Sequence, residues 1–191
     1  MGHNKPQIIL ASASPRREQL LREMGVRFTV LHPTGAQEMQ AGRAPDTLAM
    51  VNAQRKARIV SGSHRSALVI GADTIVVLQT VIFGKPASLK AAVEMLGRLA
   101  GRQHEVMTGV CVAHREFDVE VMFCERTRVW MRPLTREQIE AYFQKVDPLD
   151  KAGAYAIQEH GDGIIERIEG SFSNVMGLPV ERLRGTRGRG E

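Results

Sequence analysis

The stretch Ile8-Ile9-Leu10-Ala11-Ser12-Ala13-Ser14-Pro15-Arg16-Arg17-Glu18-Gln19-Leu20-Leu21 reads as a buried strand, a turn of small hydroxyl residues and the start of a helix. Ser14 fits the N-cap and Pro15 the first helical position, where a missing N–H costs nothing. A strand handed straight to a helix is how an α/β domain opens. The charges run against the helix dipole, because Arg16 and Arg17 occupy the first turn and a cation there is disfavoured by about 0.3–1 kcal/mol. Hydroxyls, amides and guanidinium groups converging at such a turn suit an anion such as phosphate. The competing reading is a solvated helix end with both arginines folded back on glutamates.

Strand and helix patterns alternate along the rest of the chain. Residues 46–60 read as a helix with Asp46 as N-cap, and 67–78 as a strand-rich apolar run. Ser88 caps an amphipathic helix that Gly101 stops. Residues 106–113 and 119–131 read as an antiparallel pair joined through Arg115-Glu116-Phe117-Asp118. Thr135 with Gln138 predicts a capping box, flanked by a staple of Leu134 and Ile139. A short strand at 163–168 and a helix from Pro179 close the pattern. The expectation is a mixed α/β domain around one elongated β-sheet with flanking helices.

At 191 residues, 43% hydrophobic and 25% charged, the chain is of a size and composition for one globular domain. No apolar run is long enough to span a bilayer. The start Met1-Gly2-His3-Asn4-Lys5-Pro6 has no apolar signal region, so a cytoplasmic protein is expected. Cys111 and Cys124 lie in apolar or alternating segments without a CxxC partner and read as reduced, packed thiols. The net charge of +5 raises nucleic-acid binding as a hypothesis. Much of that excess lies at Arg182, Arg184, Arg187 and Arg189, and the Gly/Arg stretch 184–191 reads as a disordered end more readily than as a binding arm. The domain is therefore taken as 1–183, and nucleic acid is not the expected partner.

Three charged residues interrupt readable patterns. Asp73 stands within Leu68-Val69-Ile70-Gly71-Ala72-Asp73-Thr74-Ile75-Val76-Val77-Leu78. Buried without a partner it would cost several kcal/mol, so it meets a cation, a metal or a wet cleft, unless Gly71-Ala72-Asp73 is a bulge facing solvent. Lys85 is held between Gly84 and Pro86, and Lys56 lies in Gln54-Arg55-Lys56-Ala57-Arg58; both have a plain surface reading as well. The devices GxxxxGK[ST], GxGxxG, HExxH, CxxC and GxSxG are absent. A phosphate site built from helix ends, scattered Lys and Arg, and carboxylates for a divalent ion remains open.

Taken together, Leu10-Ala11-Ser12-Ala13-Ser14-Pro15-Arg16-Arg17, Gly71-Ala72-Asp73-Thr74, Gly84-Lys85-Pro86, Thr108-Gly109-Val110, Asp150-Lys151-Ala152-Gly153-Ala154-Tyr155-Ala156-Ile157-Gln158 and Gly177-Leu178-Pro179 resemble the Maf family of nucleoside triphosphate pyrophosphatases, in order from about Ile8 to Leu183. The resemblance implies a fold like that of the inosine triphosphate pyrophosphatases: an elongated mixed sheet and two lobes around a central nucleotide cleft. It implies hydrolysis of a nucleoside triphosphate to monophosphate and pyrophosphate with a divalent cation, Mg²⁺ or Mn²⁺. A homodimer is the assembly it suggests.

Position by position, the resemblance makes Asp73 the catalytic proton acceptor, which deprotonates a water that attacks the α-phosphorus; metal binding to that water would ease the task. Ser12, Arg17, Lys56 and Lys85 match phosphate-binding positions, and Glu38, with Asp73, matches a metal-supporting one. Gln37 departs from the pattern, since many relatives carry a second acidic residue there. Arg16, Thr74 and Gln158 resemble the branch acting on dTTP and UTP; the 7-methyl-GTP branch tends to an aromatic residue, a glutamine and loss of the Ala-Gly-Ala-Tyr-x-Ile-Gln string at the corresponding places. An amide both donates and accepts, so Gln158 suits the thymine or uracil edge, while its plain reading is a loop-stabilising side chain. The alternatives are a pyrophosphatase for modified nucleotides such as 7-methyl-GTP, or a nucleotide- or DNA-binding regulator of cell division.

Overall fold

The apolar run around Asp73 becomes the spine of a seven-stranded mixed sheet. In the computed structural model, which describes residues 6–39 and 42–185, its strands are β1 (Ile8–Ala11), β2 (Thr29–Leu31), β3 (Leu68–Leu78), β4 (Val81–Phe83), β5 (Gln103–His114), β6 (Val119–Met131) and β7 (Ile165–Glu169). They run in the order β2-β1-β3-β5-β6-β7, with β4 also on β3. β1 is parallel to β2 and β3; every other pairing is antiparallel. The helices are α1 (Pro15–Glu23), α2 (Pro45–Ser63), α3 (Leu89–Leu99), α4 (Arg136–Phe143), α5 (Phe172–Met176) and α6 (Val180–Gly185).

Strand alternation divides the core between the two faces of the sheet. On one face, Val69 packs with Ala53, Ala57 and Val60 of α2. On the other, Ile70 and Ala72 pack with Leu20 and Leu21 of α1 and with Leu178. Farther along that second face, Val76 and Leu78 pack with Leu96 and Leu99 of α3 and with Ile139 and Tyr142 of α4. These two clusters are the cores of two lobes, and Thr74 lies between them on β3.

The edge of β3 opens at the same place. Its pairing with β1 ends at Gly71 and its pairing with β4 begins at Val76, so 72–75 have no strand partner on that edge, while β5 covers the opposite edge throughout. A gap where neighbouring strands diverge is where α/β sheets place ligands.

Helix α2 lies unusually close to the sheet. A Cβ on Gly71 would come within 2.4 Å of the Ala53 carbonyl oxygen, and one on Gly109 within 2.4 Å of that of Ala49. Backbone cannot yield as a flexible side chain does, so Gly109→Ala is expected to destabilise the protein by about 1–3 kcal/mol through overpacking. A denaturant midpoint unchanged from the parent would show that α2 can retreat freely.

Most expected elements are present, with revised ends. The capping box at Thr135 and Gln138 makes both of its hydrogen bonds, and the Ser88 hydroxyl accepts from the Ala91 amide. Helix α2 is capped at Ala44 and not at Asp46, because Pro45 takes the first turn; the Asp46 carboxylate instead accepts from the Thr47 amide at 2.7 Å. Ser14 is the N-cap of α1 without a side-chain cap bond. Strands β2 and β4 and helix α5 are additions to the sequence reading. The domain extends past 183, since Arg184 and Gly185 finish α6; the rest of the Gly/Arg stretch lies outside the described residues. Cys111 and Cys124 are free thiols whose pKa values burial pushes up to about 12 and about 11. Among the described residues no helix is long and apolar enough to cross a membrane.

Candidate active site

The gap in the sheet edge is the floor of a cleft of about 700 Å³. All nine site residues expected from the sequence line it: Ser12, Arg16, Arg17, Glu38, Lys56, Asp73, Thr74, Lys85 and Gln158. Asp73 is buried and stays within the strand, paired in register with Gly109, so the bulge reading does not hold.

The Asp73 carboxylate is held from two sides. Oδ1 accepts from Lys56 Nζ at 2.7 Å and Oδ2 from Asn52 Nδ2 at 3.1 Å. The close approach of α2 at Gly71 and Gly109 is what brings Lys56 and Asn52 to that carboxylate. The Lys56 ammonium also lies 2.6 Å from Glu38 Oε1, bridging the two acids. Burial pushes the Glu38 pKa up, but Lys56, with Lys85 and Arg17 behind it, outweighs that effect and leaves it below the ordinary value. Asn52 further accepts from the Met39 amide at 2.8 Å and donates to its carbonyl at 3.1 Å, so it fixes the segment that carries Glu38.

Arg17 crosses the opposite wall. Its Nε donates to the Gly177 carbonyl at 2.7 Å, Nη2 to Thr74 Oγ1 at 2.9 Å and Nη1 to Ser12 Oγ at 3.4 Å. Gly177 ends α5 with φ +117°, a left-handed conformation that glycine adopts without steric cost and that aims its carbonyl at Arg17. Burial lowers the Arg17 pKa. All three acceptors are uncharged, and no carboxylate forms an ion pair with Arg17 among the described residues, so its charge is uncompensated at contact range. The competing reading, in which Arg16 and Arg17 fold back on glutamates, does not hold: Arg16 pairs with Asp150, Arg17 bonds only uncharged acceptors, and Glu18 pairs with Arg22. Thr74 serves the Arg17 side of the cleft, its hydroxyl also sharing a 3.0 Å hydrogen bond with Thr108.

Lys85 is exposed at the rim without an ion pair among the described residues. Its loop is tied to the segment 150–158 by the Gly153 amide, which donates to the Gly84 carbonyl at 3.1 Å. In that segment Gly153 and Ala154 both take left-handed φ, 73° and 64°. A buried alanine at positive φ is strained, and strain of this kind collects at functional loops. Arg16 donates to the Asp150 carboxylate at 2.8 Å and to its carbonyl at 3.2 Å, joining α1 to this loop across the cleft mouth.

Asn52 is absent from the sequence reading, and Thr108 and Asp150 enter it only inside family motifs, without a role. Asn52 stands one helical turn before Lys56, and that i, i+4 spacing is the signal that could have found it. No cluster of three or more His, Cys, Asp or Glu side chains suited to a metal occurs among the described residues. Two carboxylates gathered on one ammonium nevertheless form an oxygen donor set of the kind Mg²⁺ or Mn²⁺ takes together with substrate phosphates. Glu38 and Asp73 thus fit a divalent cation.

Fold and site together define a mixed α/β protein whose interlobe cleft sets cations around a paired acid. The sequence model of the Maf-like proteins matches residues 7–186, and the chain belongs to the Maf family. It is 46% identical over 176 residues to the dTTP/UTP pyrophosphatase of Symbiobacterium thermophilum, covering 92% of this chain and 90% of that one. It is 43% identical over 180 residues to the dTTP/UTP pyrophosphatase of Dictyoglomus thermophilum, covering 94% and 93%. Among solved structures it is similar to a HAM1 protein from Coxiella burnetii, with a TM-score of 0.45 and 14% identity over 66% of this chain and 73% of that one.

Proposed function

We propose that the protein is a cytoplasmic nucleoside triphosphate pyrophosphatase that hydrolyses dTTP and UTP to the monophosphate and pyrophosphate. The observation that carries this reading is the buried Asp73 carboxylate in the sheet-edge gap, fixed by Lys56 and Asn52 and faced by the uncompensated charge of Arg17. The names of the family relatives and the free thiols of Cys111 and Cys124 support it.

Asp73 is the base that takes a proton from the attacking water. The water oxygen bonds to the α-phosphorus as the bond to the bridging oxygen breaks, and pyrophosphate leaves. Charge spreads over the phosphoryl oxygens in such a transfer, so positioning and neutralisation do most of the work. Arg17 and Lys85 meet the phosphate chain from opposite walls, Ser12 and the α1 turn receive it at the strand end, and Lys56 holds both acids. Glu38 and Asp73 would hold the divalent cation, which when bound supplies further neutralisation of the phosphates.

Gln158 supports the base preference. Its Nε2 donates to Glu159 Oε1 at 3.0 Å, and its own carbonyl oxygen is buried with no hydrogen-bond partner among the described residues. A lone acceptor suits the N3–H of uracil and thymine. Incubation of the full chain with Mg²⁺ or Mn²⁺ and a panel of triphosphates is expected to release pyrophosphate from dTTP and UTP, with ¹⁸O from labelled water in the monophosphate. Orthophosphate release, label in the pyrophosphate, or faster cleavage of 7-methyl-GTP would overturn the reading.

A further inference from the structure

Arg16 and Gln158 come from distant parts of the chain, yet one line of side chains joins them. Arg16 Nη1 bonds Asp150 Oδ2 at 2.8 Å, and Asp150 Oδ1 accepts from Lys151 Nζ at 2.7 Å. Lys151, whose side chain is only 6% exposed, also donates to the Asp147 carbonyl at 2.8 Å and lies 3.5 Å from Glu159 Oε2. Glu159 Oε1 then accepts from Gln158 Nε2. Arg16 and Lys151 hold the Asp150 pKa down against the upward push of its burial.

The last link carries the consequence. A glutamine amide can sit in two orientations related by a half-turn, which exchange its acceptor and its donors. A carboxylate offers only acceptors, so beside Glu159 the amino group is the favourable neighbour and the carbonyl oxygen the unfavourable one. Glu159 is kept in place by the buried Lys151. The orientation that follows leaves the Gln158 carbonyl oxygen buried and unpartnered, as observed.

We infer that Glu159 is a positioning residue for base selection: anchored on Lys151, it locks the Gln158 amide so that its carbonyl oxygen, and not its amino group, meets ring position 3 of the pyrimidine. This inference rests on Gln158 as the reader of the base. Uracil and thymine carry N–H at that position and are accepted. Cytosine carries a lone pair there, which meets the carbonyl oxygen and is rejected.

The test compares kcat/KM for UTP and CTP in the full-length protein with Mg²⁺. Glu159 is 38% exposed at its side chain, so Glu159→Met removes the lock with little demand on packing. Once the amide can turn, CTP cleavage is expected to rise and UTP cleavage to fall, lowering the UTP:CTP ratio roughly tenfold. A purely structural role would lower both rates together, and that result overturns the inference. Gln158→Ala is expected to lower the same ratio, and adding Glu159→Met to it to change the ratio no further. If Gln158→Ala leaves the ratio unchanged, Gln158 does not read the base, and that role and the Glu159 inference fall together. If Gln158→Ala lowers it and Glu159→Met does not, or if the two effects simply add, the Glu159 inference alone falls.

Discussion

Asp73→Asn is expected to lower kcat for UTP about 10²- to 10⁴-fold, the usual contribution of a positioned general base, with KM unchanged or lower. Asparagine fills the same space, so the strand keeps its register between Gly71 and the β4 pairing. Lys56 stays neutralised by Glu38 at 2.6 Å, so no unpaired cation is left behind. What the substitution disturbs is local: the Asn52 amino group now faces a second amino group, where it donated to Asp73 Oδ2. The lost group is the acceptor of the water's proton, and an amide cannot replace it. The substitution removes a negative charge beside a polyanion and leaves Arg17, Lys85 and Ser12 untouched, so with Mg²⁺ held at saturation the loss belongs to kcat and not to KM. Initial rates of pyrophosphate release at saturating UTP decide the matter. A kcat within threefold of the parent would move the base to another residue, with Glu38 the first to examine.

The parts of this molecule that local chemistry dictates were legible in the chain. The helix Arg136–Phe143 was marked by its capping box, and the long antiparallel pair β5 and β6 by its runs of strand-forming residues. Asp73 stood out because a carboxylate among branched apolar residues needs an explanation wherever it lies. Three-residue strands such as β2 and β4 carry too little periodicity to be read. Yet β4 bounds the sheet-edge gap that exposes Asp73, so the reason for the cleft's position was hidden even though the residue was not. Ser14 takes the N-cap position that its type predicts but makes no side-chain cap bond, and its amide donates to the Ser12 hydroxyl at 3.1 Å, a local contact that residue type does not announce. The chain from Arg16 to Gln158 was invisible for a further reason. Its first link spans a sequence separation of 134 residues, and polar partners at that range follow from the fold and not from spacing.

Acidification from pH 7.0 to 4.5 is expected to cost the protein about 2–3 kcal/mol through a single residue, His104. His104 is 2% exposed at the start of β5, and burial lowers its pKa from 6.5 to about 4. Its Nε2 lies 2.7 Å from the hydroxyl of Tyr155, itself buried in the cleft wall, and its Nδ1 is buried without a partner among the described residues. A neutral ring satisfies that pair, whereas a charged ring would carry a second N–H into surroundings that offer it nothing. Because the folded pKa lies below the unfolded one, the unfolded chain binds more protons between pH 6.5 and about 4. The stabilisation from neutral His104 is therefore complete above pH 6.5 and is lost as the pH falls through that window. The depressed carboxylates Glu38 and Asp150 act in the same direction, but only below their own unfolded pKa values of 4.5 and 3.8. The check is a pair of denaturant curves at pH 7.0 and 4.5 for the parent and for His104→Gln, whose amide can still bond the Tyr155 hydroxyl but does not titrate. The variant should start less stable at pH 7.0 and lose about 2–3 kcal/mol less on acidification. Equal losses in the two proteins would show that His104 is not the acid-sensitive group.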